Sequence, residues 1–243
     1  MKFTKKFGLI AAGLTFAVGV LFAANKDAAD QTVDSGSFGV FISGHRVATE
    51  TFSVRQASGA STVSSQVKDE GGSASQSSEM QLTSSGGLVR YEWHEMTPGK
   101  TTLVVVPNNE FLLETVTEKP GDKPAEQPFL LPNTSPILDN NFFVHREILA
   151  WRYLGSSCSA ETAGLKCGPA EFGVLVPQGR TSSHITVQPI GDEKVTIRGT
   201  EQQLLHIDLK SEDGDWSLWL NTKDHYKLMR ITKSGEQVEI VRD

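Results

Sequence analysis

The sequence predicts a mostly-β protein: a curved antiparallel sheet or open half-barrel, with one long helix packed in its concave face. Three observations lead there. Short runs rich in β-branched and aromatic residues recur in both halves of the chain, separated by Gly, Asn, Asp and Ser clusters at hairpin spacing. None of the connections in the first half is long enough for a parallel crossover, so its strands must form an antiparallel meander. Between the two strand-rich halves lies one long stretch of helical character, residues 136–154.

The composition bounds the rest. With 38% hydrophobic and 21% charged side chains, 243 residues suffice for a sizeable core and are too apolar for broad disorder. The 23 basic against 29 acidic residues give a formal charge of −6, which leaves no basic surface for phosphates and excludes nucleic acid as a partner.

Residues 1–24 read as a signal peptide: Lys2, Lys5 and Lys6 form a basic n-region, and 7–24 is an uncharged apolar run. Small Ala23 and Ala24 precede polar Asn25, placing cleavage after one or the other, with an uncleaved anchor as the alternative. Cleavage leaves a more acidic protein and no stable membrane anchor. Residues 25–37 are expected to be a flexible lead-in to a single β-rich domain over 38–243, and two stacked β-domains are the competing arrangement.

Strands are expected at 38–42, 47–54, 61–68, 75–83, 88–96, 101–106 and 111–117, with Ser43-Gly44-His45-Arg46 as the first hairpin turn. Prolines then fall at 120, 124, 128, 132 and 136, five of the ten in the chain. Such a segment, 118–136, can be neither helix nor central strand, so it reads as an extended strap laid over apolar surface, held there by Phe129, Leu130 and Leu131.

The helix starts at Pro136 or Asp139, with Gly155 as its stop. On a helical wheel Leu138, Phe142, Leu149 and Tyr153 share one face, and Val144, Ile148 and Trp151 lie nearly opposite. A helix apolar nearly all round must be covered on more than one side, by the sheet and by the strap, a ligand or a partner. Cys158 and Cys167, the only cysteines, lie in a Gly- and Ser-rich stretch and read as a small disulfide-closed loop. Two thiols without nearby His cannot complete a zinc site, and the spacing is not that of a redox C-x-x-C. Strands resume at 172–176, 184–189, 194–198, 201–209, 216–220, 226–231 and 237–241, divided by turns at Gly191-Asp192, Gly199-Thr200, Asp213-Gly214-Asp215, Lys223-Asp224 and Ser234-Gly235.

Catalytic and metal signatures are missing from the sequence. The six histidines do not pair at ligand spacing, His94-Glu95 lacks the second His of a zinc-protease helix, and no serine sits in a G-x-S-x-G elbow. Asp213-Gly214-Asp215 lacks the later glutamate of a calcium loop. The protein is therefore expected to be non-catalytic, without cofactor or metal. His145, Arg146 and Arg152 lie close on the wheel and could meet an anionic head group at a pocket rim, although solvated or salt-bridged side chains are the simpler reading.

The opening Gly39-Val40-Phe41-Ile42-Ser43-Gly44-His45-Arg46-Val47-Ala48-Thr49-Glu50 resembles the first hairpin of uncharacterised exported bacterial β-sheet proteins. Trp216-Ser217-Leu218-Trp219-Leu220, Tyr226-Lys227-Leu228-Met229-Arg230-Ile231 and Val238-Glu239-Ile240-Val241 look like their closing strands. Those families in turn resemble the periplasmic lipoprotein-carrier half-barrels, whose sheet wraps a helix-lidded apolar cavity. The resemblance implies an exported, periplasmic or extracellular protein that binds a lipid or other hydrophobic small molecule. The alternative is an envelope scaffold that docks a protein partner. The expected ligand-binding residues are Phe129, Phe142, His145, Leu149, Arg152 and Tyr153.

Overall fold

In a computed structural model that describes residues 30–96, 99–162, 164–212 and 214–243, the strand-rich runs on both sides of the helix join one antiparallel ladder. The first half contributes β1 (Gln31–Ile42), β2 (His45–Ala57), β3 (Ala60–Asp69), β4 (Ala74–Thr83), β5 (Leu88–Glu95), β6 (Thr102–Asn108), β7 (Phe111–Thr117) and β8 (Ala125–Phe129). After helix α1 (Val144–Ser157) come β9 (Cys158–Glu161), β10 (Gly164–Cys167), β11 (Ala170–Val176), β12 (Thr181–Ile197), β13 (Thr200–Lys210), β14 (Trp216–Asn221), β15 (Lys227–Lys233) and β16 (Val238–Arg242). Fourteen of these strands form a single sheet in the order β11 to β16, then β1 to β8. The seam between the halves is β1 against β16, from Phe38 opposite Arg242 to Ile42 opposite Val238.

Local chemistry sets the hairpins. Ser43-Gly44, Ser58-Gly59 and Arg198-Gly199 are two-residue connections with both residues at positive φ, the turn whose twist suits a hairpin and which a glycine makes accessible. Strand alternation then puts Phe52, Val54, Val63, Met80 and Tyr91 on the buried side.

The sheet is rolled. Arg180, between β11 and β12, donates from Nε to Glu114 Oε1 of β7 at 3.2 Å, and its carbonyl accepts from Gln127 Nε2 of β8 at 3.4 Å. In a flat sheet β7 and β12 would stand about 50 Å apart, at ~4.8 Å per strand spacing. The two edges, β8 and β11, do not pair, so the sheet is not closed into a barrel. Residues 130–138 run between them. Asn133 O accepts from Leu88 N at 2.7 Å, and Ile137 makes a parallel bridge to Leu175, with Leu138 N to Leu175 O at 2.9 Å and Leu175 N to Pro136 O at 3.0 Å. One core cluster includes residues of both halves of the sheet together with Val144, Leu149, Ala150 and Tyr153 of α1.

Several expectations are corrected. The helix spans Val144–Ser157, not 136–154. The backbone of 136–138 is spent on β11, and Leu138 and Phe142 are buried ahead of the helix. Gly155 does not stop it, and the helix ends where Cys158 turns extended to begin β9. The helix is also not simply apolar all round, since His145, Arg146 and Glu147 are among its buried residues. The chain is in strand from Gln31, paired with β2, where a flexible segment was expected over 25–37; residues 25–29 lie outside the described residues. The separate strands expected at 184–189 and 194–198 are one strand, β12, in which Gly191 (φ 121°) makes a bulge rather than a turn. Within the proline segment, Ala125–Phe129 pairs with β7 as the sheet's last strand, a place that tolerates Pro128 because its outer side needs no N–H donor. The predicted signal segment 1–24 lies outside the described residues, as does Asp213 of a predicted turn.

Cys158 and Cys167 form the disulfide, pairing opposite each other in the β9–β10 hairpin. Tyr153 secures the same hairpin, its hydroxyl donating to Gly168 O at 2.8 Å. Because this hairpin lies outside the main sheet, replacing both cysteines by serine should cost about 2–3 kcal/mol, the loop-closure entropy of so short a ring. Far-UV circular dichroism should stay unchanged, and urea titration reads the loss.

Candidate functional site

Charged side chains hold the helix against the sheet. Glu50 lies in phase with Phe52 and Val54 and therefore points inward from β2. Its Oε2 accepts from Phe143 N at 2.7 Å, and its Oε1 from Ser65 Oγ at 2.6 Å and from Val144 N at 3.4 Å. Phe143, at the N-cap, has no capping side chain, so a carboxylate 93 residues away in sequence meets the orphan N–H groups and the positive end of the helix dipole. Asp139 accepts from the Tyr91 hydroxyl at 2.6 Å and from the backbone of Asn140 at 3.1 Å and Gln178 at 3.4 Å. One turn into α1, Glu147 Oε1 accepts from Leu228 N of β15 at 2.7 Å and from Arg242 of β16 at 3.3 Å. Arg242 also clasps both oxygens of Asp34 at 2.6 Å. Arg146 donates to Asp139 O at 3.4 Å and stacks over Trp216, its guanidinium carbon 4.3 Å from the ring centroid.

Burial governs the protonation of this network. It pushes the Glu50 carboxyl up to about 7, against the pull of its three donors, and Asp139 up to about 6. Burial also raises Glu147, where Arg242 opposes the rise and neighbouring Asp34 adds like-charge repulsion. Desolvation, helped by Arg146, pushes His145 down to about 3 and keeps it neutral.

Beside the helix lies a cavity of about 630 Å³. Val54, Val63, Met80 and Leu82 of β2 to β4 form one wall, and Ile148, Leu149 and Trp151 of α1 the other. Exposed Ser84, Ser85, Gly155 and Ser156 form its mouth. His145 lines it and is 1% exposed. Its Nδ1 accepts from Asp139 N at 3.3 Å, so the ring proton belongs on Nε2, which has no partner.

Of the residues expected to bind a ligand, the structure brings His145, Leu149 and Arg152 to the cavity and leaves the other three elsewhere. Phe142 is fully buried against the His145 ring, with centroids 5.5 Å apart. Tyr153 faces the disulfide hairpin, and Phe129 is buried in the sheet's last strand, opposite Leu112. His145 and Arg146 are buried rather than solvated, which corrects the simpler reading of that basic cluster. Met80, Val54 and Val63 escaped the sequence reading, although their inward phase along β2 to β4 was available. Among the described residues no group of three or more His, Cys, Asp or Glu converges to hold a metal ion.

No protein-family model and no curated protein matches the chain. Among solved structures it is similar to a beta-barrel-like protein of the domain of unknown function DUF1849 from Brucella abortus. The identity is 7% and the TM-score 0.49, over 86% of this chain and 94% of that one. The chemistry of the site rests on this chain's own residues.

Replacing Arg242 by Met should cost about 3–5 kcal/mol, because it leaves buried Glu147 without a cationic partner and buried Asp34 with only Lys227, at 3.6 Å. Combining it with Asp34→Asn and Glu147→Gln should recover much of that loss in chemical denaturation. The pH dependence has a definite sign. Glu50 and Glu147 have raised folded-state pKa values, so their protons stabilise the fold fully below about 4.5 and that contribution is lost as pH rises through the folded values. His145, with a lowered value, acts oppositely but only below its ordinary 6.5. Stability should therefore fall from pH 6.5 to 8, by at most about 1.4 kcal/mol per pH unit for each proton released. Glu147→Gln, whose amide fits where Oε2 has no partner, should flatten the slope of urea midpoint against pH.

Proposed function

We propose that this is an exported, non-catalytic binding protein of the cell envelope, which holds a lipid or other hydrophobic small molecule between the helix and the concave face of an open half-barrel. The single observation that carries this reading is the cavity, of a size typical of small-molecule sites, walled by apolar side chains of β2 to β4 and α1. The unpartnered His145 N–H on its wall adds a donor that an apolar core filling would leave unsatisfied and a ligand acceptor would complete. The disulfide favours an oxidising compartment, in keeping with the basic and apolar N-terminal pattern. The non-catalytic part of the reading is supported by where the perturbed carboxylates are used. Glu50, Asp139 and Glu147 accept backbone N–H groups that anchor the helix and its lead-in, Glu114 pairs with Arg180, and none of the four lines the cavity.

A second reading, an interaction module, has one observation in its favour: β8 ends the sheet, and Leu130 directly after it is 93% exposed. One titration separates the two. A naphthylamine-type fluorescent probe should bind the delipidated protein saturably at one site, and Ile148→Trp, which fills the cavity, should weaken it at least about tenfold, with circular dichroism unchanged. Probe binding that survives Ile148→Trp, or no saturable binding, would remove the cavity from the function and leave the interaction reading.

A further inference from the structure

We infer that the ligand of this cavity is an anionic single-chain amphiphile whose acidic head group pairs with Arg152 near the mouth and whose chain lies along Val54, Val63, Met80 and Leu149. This rests on the binding function proposed above and specifies its ligand class.

Arg152 is set apart from the other arginines. Of the nine in the chain, those at 46, 55, 90, 180, 198, 230 and 242 each pair with a carboxylate. Arg146 bonds the Asp139 carbonyl and lies within the field of Glu50 and Asp139. Arg152, half-buried on the cavity wall, has no acidic partner among the described residues, and its guanidinium carbon approaches only the Phe172 ring, at 5.9 Å. A guanidinium partly withdrawn from water without a counter-charge is a standing cost, which an oxyanion with two acceptor atoms would remove. The protein's net charge of −6 gives an anion no general attraction, so the recognition must come from this one local charge.

The shape of the cavity selects the rest of the molecule. The one charged side chain of the lining stands near one end: Ser84, Ser85 and Ser156 form the mouth with Arg152 close by, while Val54, Val63, Met80 and Leu149 line the depth, all buried, beside the neutral His145. A methylene group fills roughly the volume of a water molecule, ~30 Å³, so a sixteen-carbon chain takes ~480 Å³ and fits within 630 Å³. The two chains of a diacyl lipid would need about twice that.

The test compares tetradecanoate with 1-tetradecanol, which share a chain and differ in charge, by displacement of the fluorescent probe from the delipidated protein. Wild type should bind the acid at least about tenfold more tightly than the alcohol, the value of one charge-assisted hydrogen-bonded pair. Arg152→Gln should abolish that preference and leave the alcohol's affinity unchanged, which shows that the cavity is intact; Arg152→Lys should restore part of it. Equal affinity for acid and alcohol, or a preference that survives Arg152→Gln, overturns the anionic assignment while leaving a hydrophobic site. Failure of both to displace a bound probe overturns the single-chain ligand altogether, and failure of the probe itself to bind overturns the underlying binding function.

Discussion

Arg242 joins three elements that are far apart in the chain. Its guanidinium meets Asp34 on β1 and Glu147 on α1, and it stands on β16, directly opposite Phe38 in the seam between the two halves of the sheet. Everything else in the architecture depends on that seam. Without it, β11 to β16 and β1 to β8 would be two meanders, each with an additional open edge. With it they form one continuous sheet, and the helix is fastened to the same place.

The helix is held at both its entry and its first turn by polar contacts, not by packing alone. Glu50 receives the first N–H groups, Asp139 fixes the approach to the helix through Tyr91 and Gln178, and Glu147 holds the backbone of β15. Such ties cost desolvation, as the raised carboxyl pKa values record, and what they contribute is position. A helix held by apolar contact could settle until every void was filled. Fastened through Glu50 and Glu147, α1 leaves space between its Ile148–Leu149–Trp151 side and β2 to β4, and the cavity is that space.

Much of this was legible residue by residue. Two-residue turns such as Ser43-Gly44 reveal their hairpins because a glycine at positive φ has few other reasons to stand between alternating runs. The disulfide followed from two cysteines nine positions apart in a Gly- and Ser-rich stretch, and the proline period excluded a helix or an inner strand. The helix boundaries were misjudged because 136–143 carries helical periodicity, yet its backbone groups are drawn to β11 and its side chains to Tyr91 and the core. Of the expected ligand residues that lie elsewhere, Phe142 stands ahead of the helix, Phe129 belongs to the sheet's last strand, and Tyr153 is on the helix but turned to the disulfide hairpin. The inward charges were visible as anomalies, Glu50 beside Phe52 and Arg242 beside Ile240 in the buried phase, but their partners were not.

What the sequence determined by itself is therefore local: strand alternation, turn chemistry, the covalent staple and the presence of one helix, all set by interactions between residues a few positions apart. Only the tertiary structure decided that the two halves share a sheet, that β7 and the β11–β12 connection come within a hydrogen bond of each other, and that His145 and Arg152 line one cavity. Those outcomes depend on contacts between residues such as Glu50 and Phe143, or Asp34 and Arg242, separated by 93 and 208 positions. No pattern of near neighbours encodes such a pairing, because the charged groups that are buried become satisfied only when the helix and both halves of the sheet have come together.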